Sequence, residues 1–204
     1  MPSPFSPSSH LLASALLIFA ASGSYSESRP APKQATDSAL VNEARSLVNA
    51  FGGELKSTLI SAMQHGGPIK AIEVCQLQAG PIAKKLGTQS DWQVARTALK
   101  VRNTNNTADH WERETLDQFE LRKAKGENPK HMEHAERITE NGQTVFRYMK
   151  AIPTGGLCLN CHGETVDQKV KQKLVTLYPN DQATGFKLGD IRGAFSLQTT
   201  LSEH

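Results

Sequence analysis

The feature that most constrains this chain of 204 residues is the run Cys158-Leu159-Asn160-Cys161-His162. A Cys-x-x-Cys-His run is the attachment signature of a c-type haem. Two thiols three positions apart on a tight turn can each add to one haem vinyl group, and the adjacent His162 then reaches the iron. The sequence therefore predicts one haem c, bound covalently through Cys158 and Cys161, and this covalent unit constrains the rest of the fold.

Chance, a redox pair and a zinc site are the alternatives to haem attachment. The run can arise by chance, and a thioredoxin-like redox pair would use the same two cysteines, but no strand and helix of thioredoxin type surround them. A zinc site would need a second pair of ligands at matching spacing. His131 and His134 could supply two nitrogens, yet nothing in the sequence makes them favour zinc.

The N-terminus supplies the export signal that a c-type haem requires, because cytochrome c maturation takes place outside the cytoplasm. An apolar run at 11–21 has the length of a signal peptide, and Ala21-Ser22-Gly23 is a suitable cleavage site. We predict a signal peptide at 1–23, a disordered leader at 24–36 and one haem domain at 37–204, in the periplasm. An uncleaved anchor is the alternative, since no Lys or Arg precedes the run.

The charge pattern argues against nucleic acid as a partner. The formal net charge is only +3, and the basic residues are interspersed with acidic ones. No other stretch is apolar enough to cross a membrane, so no membrane span is expected after signal cleavage. The expected partner is a redox protein or a small molecule that binds at the haem.

Hydrophobic periodicity predicts two long helices that follow the leader. The first carries an apolar stripe from Leu40 to Leu59 and ends near Gly66-Gly67. Pro68 suits the first turn of the second helix, which Pro81 and Gly87 close and whose apolar face includes Cys75. We therefore expect Cys75 to point inward.

The remainder of the chain predicts mostly strands. Residues 92–101 alternate as in a strand, 103–108 form a polar loop, and Asp109 can cap a helix that starts at Trp111, with Glu112 completing a capping box. Asn141-Gly142 predicts a hairpin of 135–140 with 143–152. A short helix at 166–177 and a last strand at 191–201 complete an α+β fold with an antiparallel sheet.

Cys75 has no thiol partner once the haem takes the other two cysteines. It is either a small buried hydrophobe or the sixth ligand of the iron. A thiolate in an apolar pocket needs a compensating positive charge, and ferric haem provides one. The alternative histidine ligands fit better as surface residues; they are His65, His110, His131 and His134. An ordinary cytochrome c would suggest Met63, Met132 and Met149, and core packing explains these equally well.

Several separate motifs resemble a family of c-type haem domains of unknown function, with relatives among the PAS-like cyanobacterial c-type cytochromes. The similarity runs over about 40–200 through AIEVC at 71–75, RTALKVRN at 96–103, Pro153, CLNCHG at 158–163, Tyr178-Pro179 and GDIRGA at 189–194. The resemblance implies a PAS-like sheet around the haem, with His162 as the proximal ligand and Cys75 as the distal thiolate. The family pattern has prolines at three positions that hold Gly80, Thr104 and Ala108 here. The resemblance therefore determines the structure of the loop at 103–108 least.

Basic residues near the predicted haem are candidate partners of its propionates, because two carboxylates favour a nearby guanidinium. Alternation places Arg96, Lys100 and Arg102 on one side of the predicted strand, and Arg192 begins the last strand. A solvated strand face accounts for the same pattern equally well.

Two functions remain open at the level of sequence. A six-coordinate haem with a thiolate ligand would serve one-electron transfer at a low potential. Loss of the Cys75 ligand on reduction would instead open the iron to carbon monoxide or nitric oxide, as in a redox or gas sensor. An enzyme such as a peroxidase is not expected, because a coordinating Cys75 would block the position that a substrate needs.

Overall fold

The computed structural model describes residues 35–201. The predicted signal peptide at 1–23, and all of the predicted leader except 35 and 36, lie outside the described residues. Within 35–201 the chain forms an α+β fold with a four-stranded antiparallel sheet, so the predicted fold class is confirmed. No helix within the described range is long and apolar enough to cross a membrane.

A long helix, α1 (Asp37–Thr88), opens the described part of the chain. Thr36 caps it, since its Oγ1 accepts a hydrogen bond from the backbone N–H of Ala39 at 3.3 Å. The helical path breaks at Gly66 and Gly67, where Gly67 has a φ of 63° that favours glycine. The two predicted helical segments are therefore present. The prediction that Pro81 helps to end the second helix was wrong, because the helix continues through Pro81 to Thr88.

The sheet has the strand order β1-β4-β3-β2, with β1 (Gln93–Thr97), β2 (Glu133–Glu140), β3 (Gln143–Pro153) and β4 (Ile191–Leu201). Asn141 and Gly142 both have positive φ, which confirms the predicted hairpin of β2 and β3. The first strand is shorter than predicted. It ends at Thr97 because the backbone N–H of Ala98 donates to Asn106 O at 3.2 Å, which turns the chain away from the sheet.

Helices cover both faces of the sheet. On one face, α1 packs through Leu40, Ala44 and Val48 against Phe146, Tyr148 and Leu197. On the other, α2 (His110–Ala124) packs through Leu116 and Phe119 against a cluster that includes Met132, Met149 and Ala194. Period-two alternation along β3 explains how neighbouring residues serve opposite faces. Met132 and Met149 are thus core residues.

The predicted capping box of α2 is present. Asp109 Oδ1 accepts from the backbone N–H of Glu112 at 2.7 Å, and Glu112 Oε2 accepts from that of Asp109 at 3.0 Å. The helix begins at His110, one residue before the predicted start.

The last two helices join the Cys-x-x-Cys-His run to the second segment of α1. The run ends in α3 (Leu159–His162), and α4 (Gln168–Leu177) follows, capped by Asp167 rather than beginning at Val166. Ile72 of α1 packs with Val166, Val170 and Leu174 in one buried cluster, against which Cys161 also lies. This packing brings the segment that carries Cys75 to the motif.

Candidate functional site

The Cys-x-x-Cys-His run occupies a compact turn after β3. A 3₁₀ turn at Gly156–Cys158 leads into α3, and Cys158 and Cys161 are free, half-buried thiols. Gly163 closes the turn, since its backbone N–H donates to Leu159 O at 3.0 Å. Both thiols are therefore held on one small turn, as covalent attachment requires.

The backbone favours one tautomer of His162. Its Nδ1 lies 2.7 Å from the carbonyl oxygen of Ala183, and a carbonyl can only accept a hydrogen bond. Arg192 Nε, which can only donate, lies farther from Nδ1 at 3.1 Å, so the shorter contact favours the proton on Nδ1 and a lone pair on Nε2. This is the arrangement that a metal-binding histidine needs, with the second ring nitrogen oriented by a carbonyl.

The imidazole is also held in its neutral form. Burial lowers the pKa of His162 well below its usual value, and the positive charges of Arg192 and Arg102 lower it further. A neutral imidazole is the form that ligates a metal.

The segment 181–186 runs beside the motif and fastens it. The backbone N–H of Phe186 donates to His162 O at 2.9 Å, and that of Gly185 donates to Gly163 O at 3.0 Å. The Phe186 ring stands edge-on to the imidazole, with centroids 6.3 Å apart. The orientation of His162 thus depends on this segment as well as on its own turn.

Arg102 links the motif to the same segment. Its Nε donates to Asp181 Oδ2 at 3.0 Å, and its Nη2 donates to Cys161 O at 2.6 Å. Both partners of this ion pair are nearly buried, with side chains 11% and 10% exposed. Arg102 Nη1 lies 3.4 Å from Nε2 of His162. Alternation had predicted a strand here, but Arg102 reaches the site from the bend after β1. Its role toward a propionate stays a prediction.

Two further arginines lie at the site without a carboxylate partner within residues 35–201. Arg192 Nη1 donates to Lys100 O at 3.2 Å, and its Nε lies 3.1 Å from Nδ1 of His162. Burial lowers the pKa of Arg192 to about 10. Arg96 lies over the Phe51 ring at 5.7 Å, and burial lowers its pKa as well. Two desolvated cations in one place favour an anionic group between them.

Cys75 belongs to the same cluster. It is half-buried, and burial raises the pKa of its thiol, while the positive charges of Arg96 and Arg102 act in the opposite direction. The positive charges of those two arginines also lower the pKa of His162, and the nearby Cys75 thiol raises the pKa of Cys161. The structure therefore brings together all six predicted site residues; they are Cys75, Arg96, Arg102, Cys158, Cys161 and His162. Ligation of iron by Cys75 stays a prediction.

This donor set fits a covalently attached haem. It provides two thiols on one turn, an imidazole whose Nε2 faces Arg102 Nη1 at 3.4 Å, a third thiol nearby, and in Arg96 and Arg192 two cations suited to a pair of propionates.

Sequence reasoning missed two contributors. Asp181 lies in a turn-like stretch with no motif, and Ala183 acts through its backbone carbonyl, which no side-chain pattern could reveal.

The alternative histidine ligands are exposed, as expected of surface residues; they are His65, His110, His131 and His134. His134 lines a separate groove of about 420 Å³ beside Trp111, between α2 and β2. None of the six predicted site residues lines that groove.

Comparisons with known proteins agree with the fold. A family model described as Tll0287-like matches residues 23–200. No curated protein matches the chain. The solved structure of a cyanobacterial heme-protein, Tll0287, is similar with a TM-score of 0.60 and 23% sequence identity, over 83% of this chain and 99% of that one.

Proposed function

Because the chain belongs to the Tll0287-like family, as the resemblance in its sequence predicted, we propose that it is an exported mono-haem c-type cytochrome that transfers single electrons. Cys158 and Cys161 bind one haem c covalently, and His162 and Cys75 are the axial ligands of its iron. When bound, the haem supplies an iron that takes up and releases one electron between its ferric and ferrous states.

The contact between His162 Nδ1 and Ala183 O carries this proposal. At 2.7 Å it favours the proton on Nδ1 and a lone pair on Nε2, so a metal that displaces Arg102 Nη1, which lies 3.4 Å from Nε2, can bind there without a change of tautomer. A histidine that served only structure would need no such arrangement next to two thiols on the same turn.

Cys75 serves as the second axial ligand in its thiolate form. Burial opposes ionisation of the thiol, and the positive charges of Arg96 and Arg102 favour it. A ferric iron adds the compensating charge that a buried thiolate requires. Because a thiolate donates charge to the iron, it stabilises the ferric state, and we expect a reduction potential well below that of a His/Met cytochrome.

Arg96 and Arg192 bind the propionates. Both guanidinium groups lose part of their hydration by burial, and neither has a carboxylate partner within 35–201. Pairing with a carboxylate restores hydrogen bonds to both planar groups. Arg102 is already paired with Asp181, so its contact with the motif backbone is its main contribution.

Export follows from the same chemistry, since covalent attachment takes place outside the cytoplasm. We propose that 1–23 directs the chain to the periplasm and is removed there. The partner is then a redox protein that exchanges one electron with the haem edge.

Intact mass spectrometry of the protein, expressed in a host that exports and matures cytochromes c, tests this proposal. The expected mass is that of the chain cleaved near Gly23 plus one haem, retained under denaturing conditions. The Cys158→Ala/Cys161→Ala variant should lose the haem on denaturation, and Cys75→Ala, which also removes one thiol, should retain it. A wild-type protein without covalent haem would refute the proposal.

A redox or gas sensor is the second candidate, favoured by the glycine joint in α1. Gly66 and Gly67 interrupt the helix just before the segment that carries Cys75, so that segment could shift if the thiolate left the iron. Reduced protein under carbon monoxide separates the two functions. A carrier keeps its spectrum because the iron remains six-coordinate, whereas a sensor forms a carbonyl adduct.

Enzymatic turnover is not part of the proposal. A peroxidase needs an open iron position, and thiolate ligation by Cys75 would fill it.

A further inference from the structure

Asp181 uses both carboxylate oxygens next to the axial histidine. Its Oδ1 accepts a hydrogen bond from the backbone N–H of Ala183 at 2.8 Å, and its Oδ2 accepts from Arg102 Nε at 3.0 Å. The side chain is only 10% exposed. A nearly buried carboxylate with this geometry is held in one position, so it can hold its partners in turn.

The Ala183 peptide transmits this constraint to His162. Asp181 binds the N–H of Ala183, and the carbonyl of the same residue faces His162 Nδ1 at 2.7 Å. Arg102 completes the hydrogen-bond network, since its Nη2 donates to Cys161 O at 2.6 Å and to Ala183 O at 3.3 Å. The network therefore runs from the carboxylate to the imidazole and returns through the guanidinium.

We propose that Asp181 is a positioning residue that sets the electron affinity of the haem iron through His162. The proposal rests on the proposed function, because it requires His162 to be an axial ligand. Asp181 aims the Ala183 carbonyl at Nδ1, and its negative charge balances the positive charge of Arg102 beside His162. A stronger hydrogen bond from Nδ1 makes the imidazole a better donor, which favours the ferric state.

The two members of the ion pair should therefore act with opposite signs. Asp181→Asn retains the size of the side chain but removes its negative charge, which leaves Arg102 unbalanced and favours the ferrous state. Arg102→Gln leaves the carboxylate unbalanced and favours the ferric state. A merely structural role predicts something else, namely that both changes loosen the same loop and move the potential in the same direction.

Redox titration of the exported holoproteins tests the inference. We expect the equilibrium constant for one-electron reduction to rise about tenfold in Asp181→Asn and to fall about tenfold in Arg102→Gln, which is about 59 mV each way. The hyperfine-shifted resonance of the His162 Nδ1 proton should also move in Asp181→Asn. Asp117→Asn removes the same charge from an exposed position on α2 and should leave both readouts unchanged.

Shifts of equal sign, or no shift in either variant, would overturn the inference. If Asp181→Asn does not fold, Asp181→Glu replaces it, since it retains the charge and should leave the potential closer to that of wild type than Arg102→Gln does; the opposite ranking would also overturn the inference. A wild-type protein without haem, or without His162 ligation, refutes the proposed function instead, so the two failures are distinguishable.

Discussion

Replacing Gly163 with alanine tests how tightly the chain packs directly after His162. Gly163 follows His162 directly and ends α3. A Cβ at this position would lie 2.7 Å from Leu159 O and 3.4 Å from Leu159 Cβ. The first contact involves backbone, so a flexible side chain cannot relieve it by rotating.

The structure sets the size of the expected effect. Ordinary contact with a Cβ begins at about 3.4 Å, so the carbonyl of Leu159 has to move by about 0.7 Å. That movement strains the turn that carries Cys161 and His162. Overpacking of this kind costs about 1 to 3 kcal/mol, and a cost of 2 kcal/mol lowers the folding equilibrium constant about 30-fold.

Urea denaturation of the holoprotein, followed by far-ultraviolet circular dichroism, measures this cost. Gly156→Ala is the matched control, because Gly156 flanks the same motif and its Cβ would meet nothing within 4 Å. The control should be neutral or slightly stabilising, since alanine reduces the freedom of the unfolded chain. Equal stabilities of the two variants would refute the proposed strain in the turn.

Three further predictions concern acid stability, charge and packing. Hydrogen bonding from Arg45 lowers the pKa of Glu133 from 4.5 to about 2, so its contribution is present above pH 4.5 and is lost as the pH falls toward 2. After solvent screening we expect the free energy of unfolding to fall by about 1 to 2 kcal/mol between pH 5 and pH 2. A Glu133→Gln variant whose free energy of unfolding falls as much over this range would contradict the prediction. Arg192→Gln removes a half-buried positive charge beside His162 and should lower the reduction potential by about 59 mV in redox titration, a tenfold effect on the one-electron equilibrium. An unchanged potential would count against its place at the propionates. Gly193→Ala should cost about 3 kcal/mol in thermal or urea unfolding, because Gly193 has a φ of 155° and its new Cβ would overlap a backbone carbonyl. Gly142→Ala, at φ 78° but in open space, should cost only about 1 kcal/mol. A smaller cost at Gly193 than at Gly142 would contradict the packing around Gly193.

Local signals were sufficient for much of the fold. The Asn141-Gly142 turn, the Asp109 and Glu112 capping box, and the joint at Gly66-Gly67 each depend on residues a few positions apart. Their physical causes are contained in the short sequence itself, which is why they could be predicted.

The first strand shows where local pattern fails. Alternation continues to Val101, but the strand ends at Thr97 because a backbone hydrogen bond from Ala98 to Asn106 is formed instead. The competing turn depends on the loop that follows the strand, and its stability cannot be judged from alternation within the strand.

The network around His162 could not be predicted from the sequence. Arg102 and Asp181 are 79 residues apart, and Ala183 contributes only a carbonyl oxygen. Nothing about an aspartate or an alanine in a turn marks it as a partner of a distant histidine. The resemblance to a family implied that Cys75 and His162 bind the same haem, but not the backbone contact that orients the imidazole.

Both proposals require Cys75 and His162 to be the axial pair of one haem. Low-temperature electron paramagnetic resonance of the oxidised, exported holoprotein and of its Cys75→Ser variant tests this ligation. We predict a low-spin signal with the narrow anisotropy of a thiolate ligand in the wild type, and its loss in the variant. A high-spin signal, or a low-spin signal that the substitution leaves unchanged, would contradict the claim.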